Sequence, residues 1–541
     1  MTGNPYIVKK GGKLAITKRG YKFLQKIVTD PLGDVYAFTD EAPRLLAAAS
    51  MARLSRSPHD LRKTYLLEFA AEETTAPEFI EKIVAGYGDD SVKQLIYVLL
   101  VVERASNLMT KMLERGRFAG YLEQSTRYIY FDQKDKSGRY KYYIPPNLPP
   151  AIAQTYVERI NAIFDIYSYI VRELTDFVRL QTKEPEDKLE RAAWFGATRA
   201  QACDAARALL PVATQSTVGI VAPAQSVEGL IYFLASQTLE EAQETAKSIL
   251  RESKKVAGAF LRQVERPERG GAAIIYRQDT ASAVANLAKL YVGLFQYPIS
   301  NENEVTLVDW WPKGDELDIL APEMLFSETK MPIKMLQNRV KTWPRGQKLE
   351  VFNAYVGNRF NYRHKPGRAF EKIHYEWELL IDYGIFRDLQ RHRVLDMPEW
   401  QKLEIAYGYD VPKLVKDAGM EAMFKNGFEL SEDLYKYMVG VGLEEEAQYA
   451  TLLGHRMRFR FVENAREAFH LHELRTQPQG HPGYRKVVKE IHRQLSEIHP
   501  LIGAAMKFVN CGEDPELTRM AAEIATRKKL AILESKEKSR E

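Results

Sequence analysis

Arginines grouped with a serine or a histidine are the residues of this sequence best suited to chemistry. Arg115 and Arg117 flank a glycine, and Ser125 and Arg127 follow them in the segment EQSTRY; the second half carries Arg-His-Arg at 391–393. An arginine side chain is charged at every working pH, and its planar fork binds phosphate or carboxylate through two parallel hydrogen bonds. The pattern therefore predicts a site for anionic ligands.

The two arginine clusters occur in related passages of the chain. The first passage reads GDDSV, an apolar stretch and then RGR and EQSTRY; the second reads GRAFE, a comparable stretch and then RHR. Each copy keeps residues that the other has lost. The first copy has Gly116 where the second has His392, whereas the second has Gln401 and Leu403 where the first has Ser125 and Arg127. We interpret the halves as two degenerate homologous repeats, 1–285 and 286–541, whose complete sites form where the repeats meet.

Composition narrows the class of protein. A chain of 541 residues exceeds one ordinary core, and its 45% hydrophobic and 28% charged residues are typical of a soluble globular protein. It contains no apolar run of about 20 residues and no apolar segment after the N-terminal lysines, so we expect a cytoplasmic protein without a membrane partner. Cys203 and Cys511 are too few for a disulfide framework, and a net charge of +5 does not indicate nucleic-acid binding.

Hydrophobic periodicity predicts mainly helices in the first half. Apolar residues at helical spacing predict one long buried helix from Ser91 to about Leu113, ahead of the first arginine cluster. Helical patterns return over 150–182 and 187–210. Residues 211–227 are rich in turn formers, and an amphipathic helix is expected over 227–264.

The second half repeats this order of elements. After the linker-like RPERGG, residues 300–326 predict a strand and then a helix, and the spacing over 370–380 predicts a helix leading to RHR. Further helices are expected over 464–475 and 484–509, before a disordered tail, ESKEKSRE. The predicted fold class is α+β, with two homologous repeats that each pack long helices on a small, mainly antiparallel sheet.

At these residues the chain resembles the flavin-dependent thymidylate synthases, whose signature is RHR followed after a short gap by a serine and an arginine in an S-x-R-Y context. The first repeat keeps the spacing and the Glu-x-Ser-x-Arg-Tyr end over Arg115 to Tyr128. The second repeat keeps RHR intact. The resemblance extends over most of both halves.

Further blocks of the family are divided between the repeats. The family's asparagine, with an arginine eleven residues later, matches Asn464 and Arg475 in NAREAFHLHELR, and its arginine before an apolar-proline run matches Arg207 in ARALLP. The family's glutamate on the helix before the signature matches Glu371. Its histidine before that helix is replaced by Asp89 in the first repeat.

The resemblance implies an enzyme that converts dUMP to dTMP with FAD as cofactor. Methylenetetrahydrofolate would supply the methylene group and NADPH would reduce the flavin. Ser125 and Arg127 would then hold the phosphate of dUMP, with Glu123 orienting them or the sugar, and Arg207 would also bind the substrate.

The resemblance also implies a catalytic arginine and a set of cofactor-binding residues. Arg475, placed beside the uracil ring, would stabilise negative charge that develops on a carbonyl during attack at the adjacent carbon. No cysteine nucleophile is needed when the flavin carries the difficult step. The residues expected to bind the cofactor are Arg391, His392, Arg393, Asn464, Glu371, Ser91, Arg115 and Arg117.

Each motif residue also has a purely structural interpretation. Arginines are favoured at helix C-termini, so both arginine clusters could be solvated helix ends. Asn464 could cap a helix and Arg475 could end one. His470 and His472, two residues apart on a helix, point to different faces, so we predict no metal site.

Two classes of function stay open at this point. Members of the resembled family are homotetramers with sites drawn from several subunits, so a fused pair of repeats is expected to form a homodimer that imitates the tetramer. The first class is the synthase with a composite site. The second is a catalytically degenerate paralogue that keeps nucleotide or flavin binding, because a fold does not fix a function. RNA binding has no recognisable module in the sequence.

Overall fold

The computed structural model describes residues 4–54, 56–70, 90–293, 304–513 and 515–538. The chain forms two compact units, each assembled from separate segments. The first unit comprises Met1–Glu103, Arg115–Glu123 and Thr217–Phe295; the second comprises Arg104–Glu114, Gln124–Ser216 and Gln296–Glu541. The repeat boundary between residues 285 and 286 stays a prediction.

Short strands and longer helices alternate along the first half. In chain order its elements are β1 (Ile7–Lys10), β2 (Lys13–Ile16), α1 (Lys18–Ile27), α2 (Arg44–Leu54), α3 (Leu61–Glu68), β3 (Tyr97–Ser106), α4 (Asn107–Leu113), β4 (Gly120–Glu123), α5 (Pro150–Gln181), α6 (Lys188–Ala206), β5 (Gln215–Pro223), α7 (Ala224–Ala235), α8 (Glu240–Leu261) and α9 (Ala272–Tyr291).

The second half has the same alternation. Its elements are β6 (Val305–Trp311), α10 (Glu316–Leu325), α11 (Ile333–Lys341), α12 (Arg345–Val356), β7 (His374–Asp382), α13 (Tyr383–Leu389), β8 (Asp396–Trp400), α14 (Lys413–Asp417), α15 (Glu421–Gly440), α16 (Glu444–Ala447), β9 (Arg456–Asn464), α17 (Ala465–Arg475), α18 (Pro482–Ile498), α19 (Pro500–Ala505) and α20 (Met520–Lys538). Short 3₁₀-helices include Asp90–Leu95, Arg207–Leu209 and Arg368–Lys372.

The predicted long helix over 91–113 is wrong. The structure has a 3₁₀ turn, then β3 and then the short helix α4. Val98 and Leu100 are buried, whereas Tyr97, Leu99 and Val101 are exposed, which is the two-residue period of a strand. The β-branched and aromatic residues of this segment favour a strand, and they outweigh the apparent helical spacing. In the sheet of the first unit the strand order is β3-β5-β4.

Two further predictions in the first half had different outcomes. The segment 211–227, predicted as turn-rich, contains β5, where Val218 and Ile220 alternate with less buried residues. The predicted helices over 150–182 and 187–210 are confirmed by α5 and α6. Pro150 begins α5, where its missing N–H leaves no bond unmade.

The second unit is built around a four-stranded antiparallel sheet with the order β6-β7-β9-β8. β7 and β9 pair over nine residues each, from His374 opposite Asn464 to Asp382 opposite Arg456. The helix predicted over 370–380 is therefore wrong. Tyr375 and Trp377 are fully buried and alternate with charged residues, so the controlling period is two residues.

The helices of the second unit agree better with the sequence. The strand and helix expected over 300–326 correspond to β6 and α10, and the helix expected over 464–475 corresponds to α17. The tail predicted as disordered is helical as far as Lys538, because alanine, leucine, glutamate and lysine are good helix formers. Antiparallel sheets packed with long helices confirm the α+β fold class.

Candidate active site

The strand β7 delivers the RHR motif to the core of the second unit. Asp382 at the end of β7 accepts a hydrogen bond from the backbone N–H of Ile385 (2.6 Å) and so caps α13. The seven residues of α13 and then Gln390 lead to Arg391 and His392. Asp388 lies in the last turn of α13, three residues before Arg391, and accepts a hydrogen bond from the Arg391 guanidinium.

The neighbouring strand β9 positions the second group of residues in the same way. Asn464 accepts a hydrogen bond from the backbone N–H of Glu467 (2.9 Å) and caps α17. Glu467 lies in the first turn of that helix, and Arg475 is its last residue. The helix-cap interpretation of Asn464 is thus observed, and α17 sets the spacing between Glu467 and Arg475.

His392 joins the two helices. Arg475 Nε donates to His392 Nε2 (2.9 Å), so the ring proton must be on Nδ1, which faces Glu467 Oε1 at 2.9 Å. Burial lowers the pKa of His392 to about 4, so the imidazole is neutral at pH 7. Arg475 Nη2 also donates to the Asp388 backbone carbonyl (2.6 Å). Two acceptors therefore fix the orientation of the Arg475 guanidinium.

The arginine of the first repeat is held by a carboxylate of the same unit. Arg127 Nε and Nη2 donate to the two carboxylate oxygens of Asp204, both at 2.6 Å. Burial opposes the charge on Arg127, but the attraction of Asp204 outweighs it and raises the pKa of Arg127. His481 donates from Nε2 to the Asp204 backbone carbonyl (3.1 Å), because its Nδ1 accepts from the Gly483 N–H.

Tyr484 brings the residues of the two repeats together. The guanidinium carbon of Arg127 lies 5.7 Å from the centre of the Tyr484 ring, and that of Arg475 lies 5.3 Å from it. Both distances allow cation–π attraction. Through this ring the Ser125–Arg127 segment meets the pair of Arg475 and His392 inside one compact unit.

Asp388 collects several arginines around one carboxylate. Its Oδ2 lies 3.3 Å from Arg207 Nη1 and its Oδ1 accepts from Arg391. Burial alone would raise the pKa of Asp388, but Arg207, Arg391, Arg475 and Arg127 together hold it far below its usual value. Four guanidinium groups thus act together on the one carboxylate of Asp388.

A cavity of about 820 Å³ opens beside this cluster, within the second unit. Its lining includes Arg207, Asp204, His481 and Asp382. Nη2 of the buried Arg207 has no hydrogen-bond acceptor among the described residues. A buried donor of this kind favours an anionic or carbonyl ligand. The volume is in the range of ordinary ligand sites.

His392, Glu467 and His470 include the ligand types of a transition-metal site, with the three ligand atoms within 4.8 Å of one another. Two observations weigh against a metal ion. His392 Nε2 accepts a hydrogen bond from Arg475, which leaves the proton on the nitrogen that faces Glu467, and the arginine itself repels a cation. His472 points elsewhere, to Glu463 at 3.1 Å.

Other residues predicted for the site lie at the edge of this cluster or in the first unit. Arg393 donates to the Arg391 carbonyl (2.8 Å), and Glu371 pairs with Arg368 and Arg466. Ser91, Arg115, Arg117 and Glu123 belong to the first unit.

Within the first unit, two of these positions have a clear environment. The guanidinium carbon of Arg115 lies 4.6 Å from the ring centre of Phe233. A Cβ at Gly116 would lie 2.6 Å from the Tyr121 hydroxyl, so no histidine fits there without a rearrangement. The side chain of Ser91 and the whole of Asp89 lie outside the described residues.

Sequence reasoning missed the residues that connect the predicted ones: Asp204, Asp388, His481 and Tyr484. A helical spacing offered a signal for the two acids. Asp388 precedes Arg391 by three residues and Asp204 precedes Arg207 by three, which places each acid beside an arginine of its own segment. No local pattern could have identified Tyr484.

The buried histidines make the stability of the protein dependent on pH. Burial lowers the pKa of His392 to about 4 and that of His481 to about 3, and His492 and His499 shift in the same direction. A histidine of the unfolded chain has a pKa of about 6.5. The unfolded state therefore binds more protons than the folded state once the pH falls below that value. Burial raises the pKa of Asp382 to about 6, which opposes this trend by about 1 kcal/mol.

The free energy of unfolding is therefore expected to fall by about 3 kcal/mol or more between pH 7 and pH 5. Urea titrations at the two pH values measure it. His481→Asn should reduce the difference, whereas the same change at the exposed His364 should leave it unaltered. An unfolding free energy equal at both pH values would contradict neutral buried histidines.

Comparison with known proteins gives the family of the chain. The family model described as Thymidylate synthase complementing protein matches residues 35–258 and 306–501. The chain belongs to this family. One matched segment lies in each half, which is consistent with two repeats, and membership supports nucleotide methylation of the thymidylate synthase type.

Relatives of similar length are also known. A UPF0159 protein of Chlamydia pneumoniae is 31% identical over 521 residues, which span 93% of this chain and 96% of that protein. UPF0159 proteins of Chlamydia muridarum and Thermoplasma acidophilum are 30% and 27% identical, over 91% and 88% of this chain and 94% and 97% of those proteins. The two-repeat length is thus shared with all three.

Among solved structures, the chain is similar to a UMP/dUMP methylase, PolB of Streptomyces cacaoi, bound with 5-Br dUMP. The match is 16% identical, covers 38% of this chain and 94% of that one, and has a TM-score of 0.30.

No helix in the described part of the chain is both long and apolar enough to cross a membrane.

Proposed function

We propose that this protein catalyses the FAD-dependent reductive methylation of dUMP to dTMP at the arginine cluster of its second unit. The observation that supports the proposal is that the guanidinium groups of Arg127 and Arg475 both lie within about 6 Å of the ring centre of one tyrosine, Tyr484, at 5.7 and 5.3 Å. Arg127 comes from the repeat that keeps the serine and arginine, and Arg475 from the repeat that keeps RHR. Two arginines that the resemblance assigns to one site thus lie near the same ring.

The residues present fit anionic ligands. Arg207 Nη2 is a buried donor without an acceptor in the described structure, and four guanidinium groups lie near Asp388. Ser125, Arg127 and Arg207 would hold the phosphate of dUMP, with Glu123 next to them in sequence. Arg391, His392 and Arg393, with Asn464, would hold FAD, which when bound would supply the hydride chemistry.

Arg475 is the residue to which we assign the chemical step. Its Nε and Nη2 are fixed by His392 and by the Asp388 carbonyl, so the guanidinium is oriented before a ligand binds. A preoriented cation can stabilise charge that develops on a uracil carbonyl without reorganising during the reaction. The neutral His392, which accepts from Arg475 and faces Glu467, maintains that orientation.

A second candidate is a paralogue that binds a nucleotide or flavin without catalysis. The observation that favours it is the pairing of Arg127 with both oxygens of Asp204, which occupies the fork expected to hold a phosphate. Gly116 also replaces the histidine of the signature. This candidate predicts binding of dUMP or FAD without product.

Absorbance and product formation separate the two candidates. We expect the purified protein to bind FAD, with an oxidised band near about 450 nm, and to form dTMP from dUMP, methylenetetrahydrofolate and NADPH. The chain should also rescue a thymidine-requiring strain, and Ser125→Ala should weaken the rescue. Exposed Arg493→Ala, which only breaks surface pairs with Glu490 and Glu497, is the matched control.

The outcomes are distinct. A coloured protein that binds dUMP but forms no dTMP would support the paralogue. A colourless protein that takes up no added FAD would overturn the proposal. The use of folate and NADPH and the formation of a homodimer are inferred from the resemblance, and mass measurement in solution tests the last of these.

A further inference from the structure

Arg519 is a buried arginine to which neither the motifs nor the family resemblance assigns a role. It directly precedes α20 and is only 7% exposed. Its Nε and Nη1 have no hydrogen-bond acceptor in the part of the chain that the structure describes. Buried guanidinium nitrogens are normally paired, so two unpartnered ones on the same side chain indicate a missing acceptor.

The surroundings of Arg519 connect it to the segment that ends in STRY. Its guanidinium carbon lies 4.2 Å from the ring centre of Tyr128. Burial, and next the positive charge of Arg127, lower the pKa of Arg519 to about 10, whereas Glu523 acts in the opposite direction. Two arginines are therefore close enough to repel each other.

The carboxylate nearest to Arg127 offers Arg519 Nε and Nη1 no hydrogen bond. Both oxygens of Asp204 are used by Arg127. Arg519 thus keeps a desolvated positive charge with an aromatic face on one side and a second cation nearby. Such an arrangement is unfavourable in an empty protein and becomes favourable when an anion binds between the charges.

The ligand cavity borders the same stretch of chain. Thr518 and Glu516 line the cavity of about 820 Å³ that Arg207 and Asp204 also line. The residue before Arg519 is therefore part of the wall of the cavity. Arg519 is therefore the next residue along the chain from this wall.

We propose that Arg519 is a phosphate-binding residue that, with the Ser125–Tyr128 segment, holds the phosphate monoester of a nucleotide. The nucleotide identity rests on the proposed function, whereas the anion site rests on Arg519 itself. A phosphate dianion matches two donors and a second positive charge better than a carboxylate, which carries one negative charge. Because Nε and Nη2 of Arg127 pair with Asp204, Arg519 adds two unpartnered guanidinium nitrogens beside it.

Calorimetric titration of the full-length protein tests this inference, with dUMP, deoxyuridine and inorganic phosphate as separate ligands. The wild type is expected to bind dUMP and phosphate, and dUMP more tightly than deoxyuridine. Arg519→Met should weaken dUMP and phosphate by at least about 10-fold and leave deoxyuridine unchanged. Arg519→Lys keeps the charge but not the planar fork, so its affinity for dUMP and phosphate should lie between those of the wild type and Arg519→Met.

Two further variants make the test sharper. Glu523→Gln removes the negative charge that partly compensates Arg519, so it should tighten phosphate binding. Arg493→Met, which removes an exposed arginine of α18, should change nothing. Without ligand, Arg519→Met is expected to melt at the same temperature as the wild type or higher, whereas a purely structural arginine would lower the melting temperature.

Each outcome decides one question. Binding of dUMP that is unchanged in Arg519→Met overturns this inference and leaves the proposed function standing. Phosphate binding that depends on Arg519 in a protein that forms no dTMP supports the inference and removes the proposed function. If the wild type binds neither dUMP nor phosphate, the inference is overturned.

Discussion

Replacing Arg475 by methionine is expected to lower kcat for dTMP formation by about 10²–10³-fold, because the variant loses the preoriented cation beside the reacting ring. The hydrogen bonds from Nε to His392 and from Nη2 to the Asp388 carbonyl show that orientation is fixed in the folded protein. Single-turnover formation of dTMP by the FAD-loaded protein measures the chemical step directly. Affinity for dUMP should change far less than kcat.

Arg475→Lys is the matched variant for this experiment. The lysine keeps a positive charge at the same place, but it cannot donate to both His392 and the Asp388 carbonyl through one planar group. Its kcat should therefore lie between those of Arg475→Met and the wild type. Growth of a thymidine-requiring strain should follow the same order. Equal rescue by wild type and Arg475→Met would remove Arg475 from the chemistry.

Asp388→Asn is expected to lower the free energy of unfolding by about 3–5 kcal/mol at pH 7, since it leaves several buried guanidinium groups without their shared counter-charge. Asp388 is 4% exposed and contacts Arg207 and Arg391. Those arginines hold its pKa well below the usual value, so it is ionised at pH 7. Urea unfolding measures the loss.

Added phosphate should restore part of this stability, because an anion that binds only the folded state favours that state in proportion to its occupancy. The control is Asp176→Asn, an exposed acid that lies 3.7 Å from Arg179 and should cost less than about 1 kcal/mol. A loss in Asp388→Asn no larger than in this control would show that the arginines do not depend on Asp388.

The sequence was sufficient for the elements whose local pattern agrees with their packing. The long helix α5 and the helix α6 have consistent apolar faces and clear ends, and both follow the prediction. The segments of β3 and β7 do not follow their helical prediction, because a short apolar segment matches helical and strand periods almost equally well. Pairing with β5 and β9, which lie far away in sequence, decides between the two periods.

The candidate site was predictable only in part, for a related reason. The motifs indicate which arginines matter, but not which acid each arginine meets. The contact of Arg127 with Asp204 spans 77 residues and that of Arg207 with Asp388 spans 181. Such pairs are set by the tertiary fold, and a single sequence carries no local trace of them.

The interleaved composition of the two units limits where the chain can be divided. Residues 104–114 and 124–216 share a compact unit with the C-terminal half, although they precede it by many residues. A chain cut near residue 285 would leave that unit divided between two polypeptides. The two halves should therefore form soluble protein only when they are expressed together in the same cell.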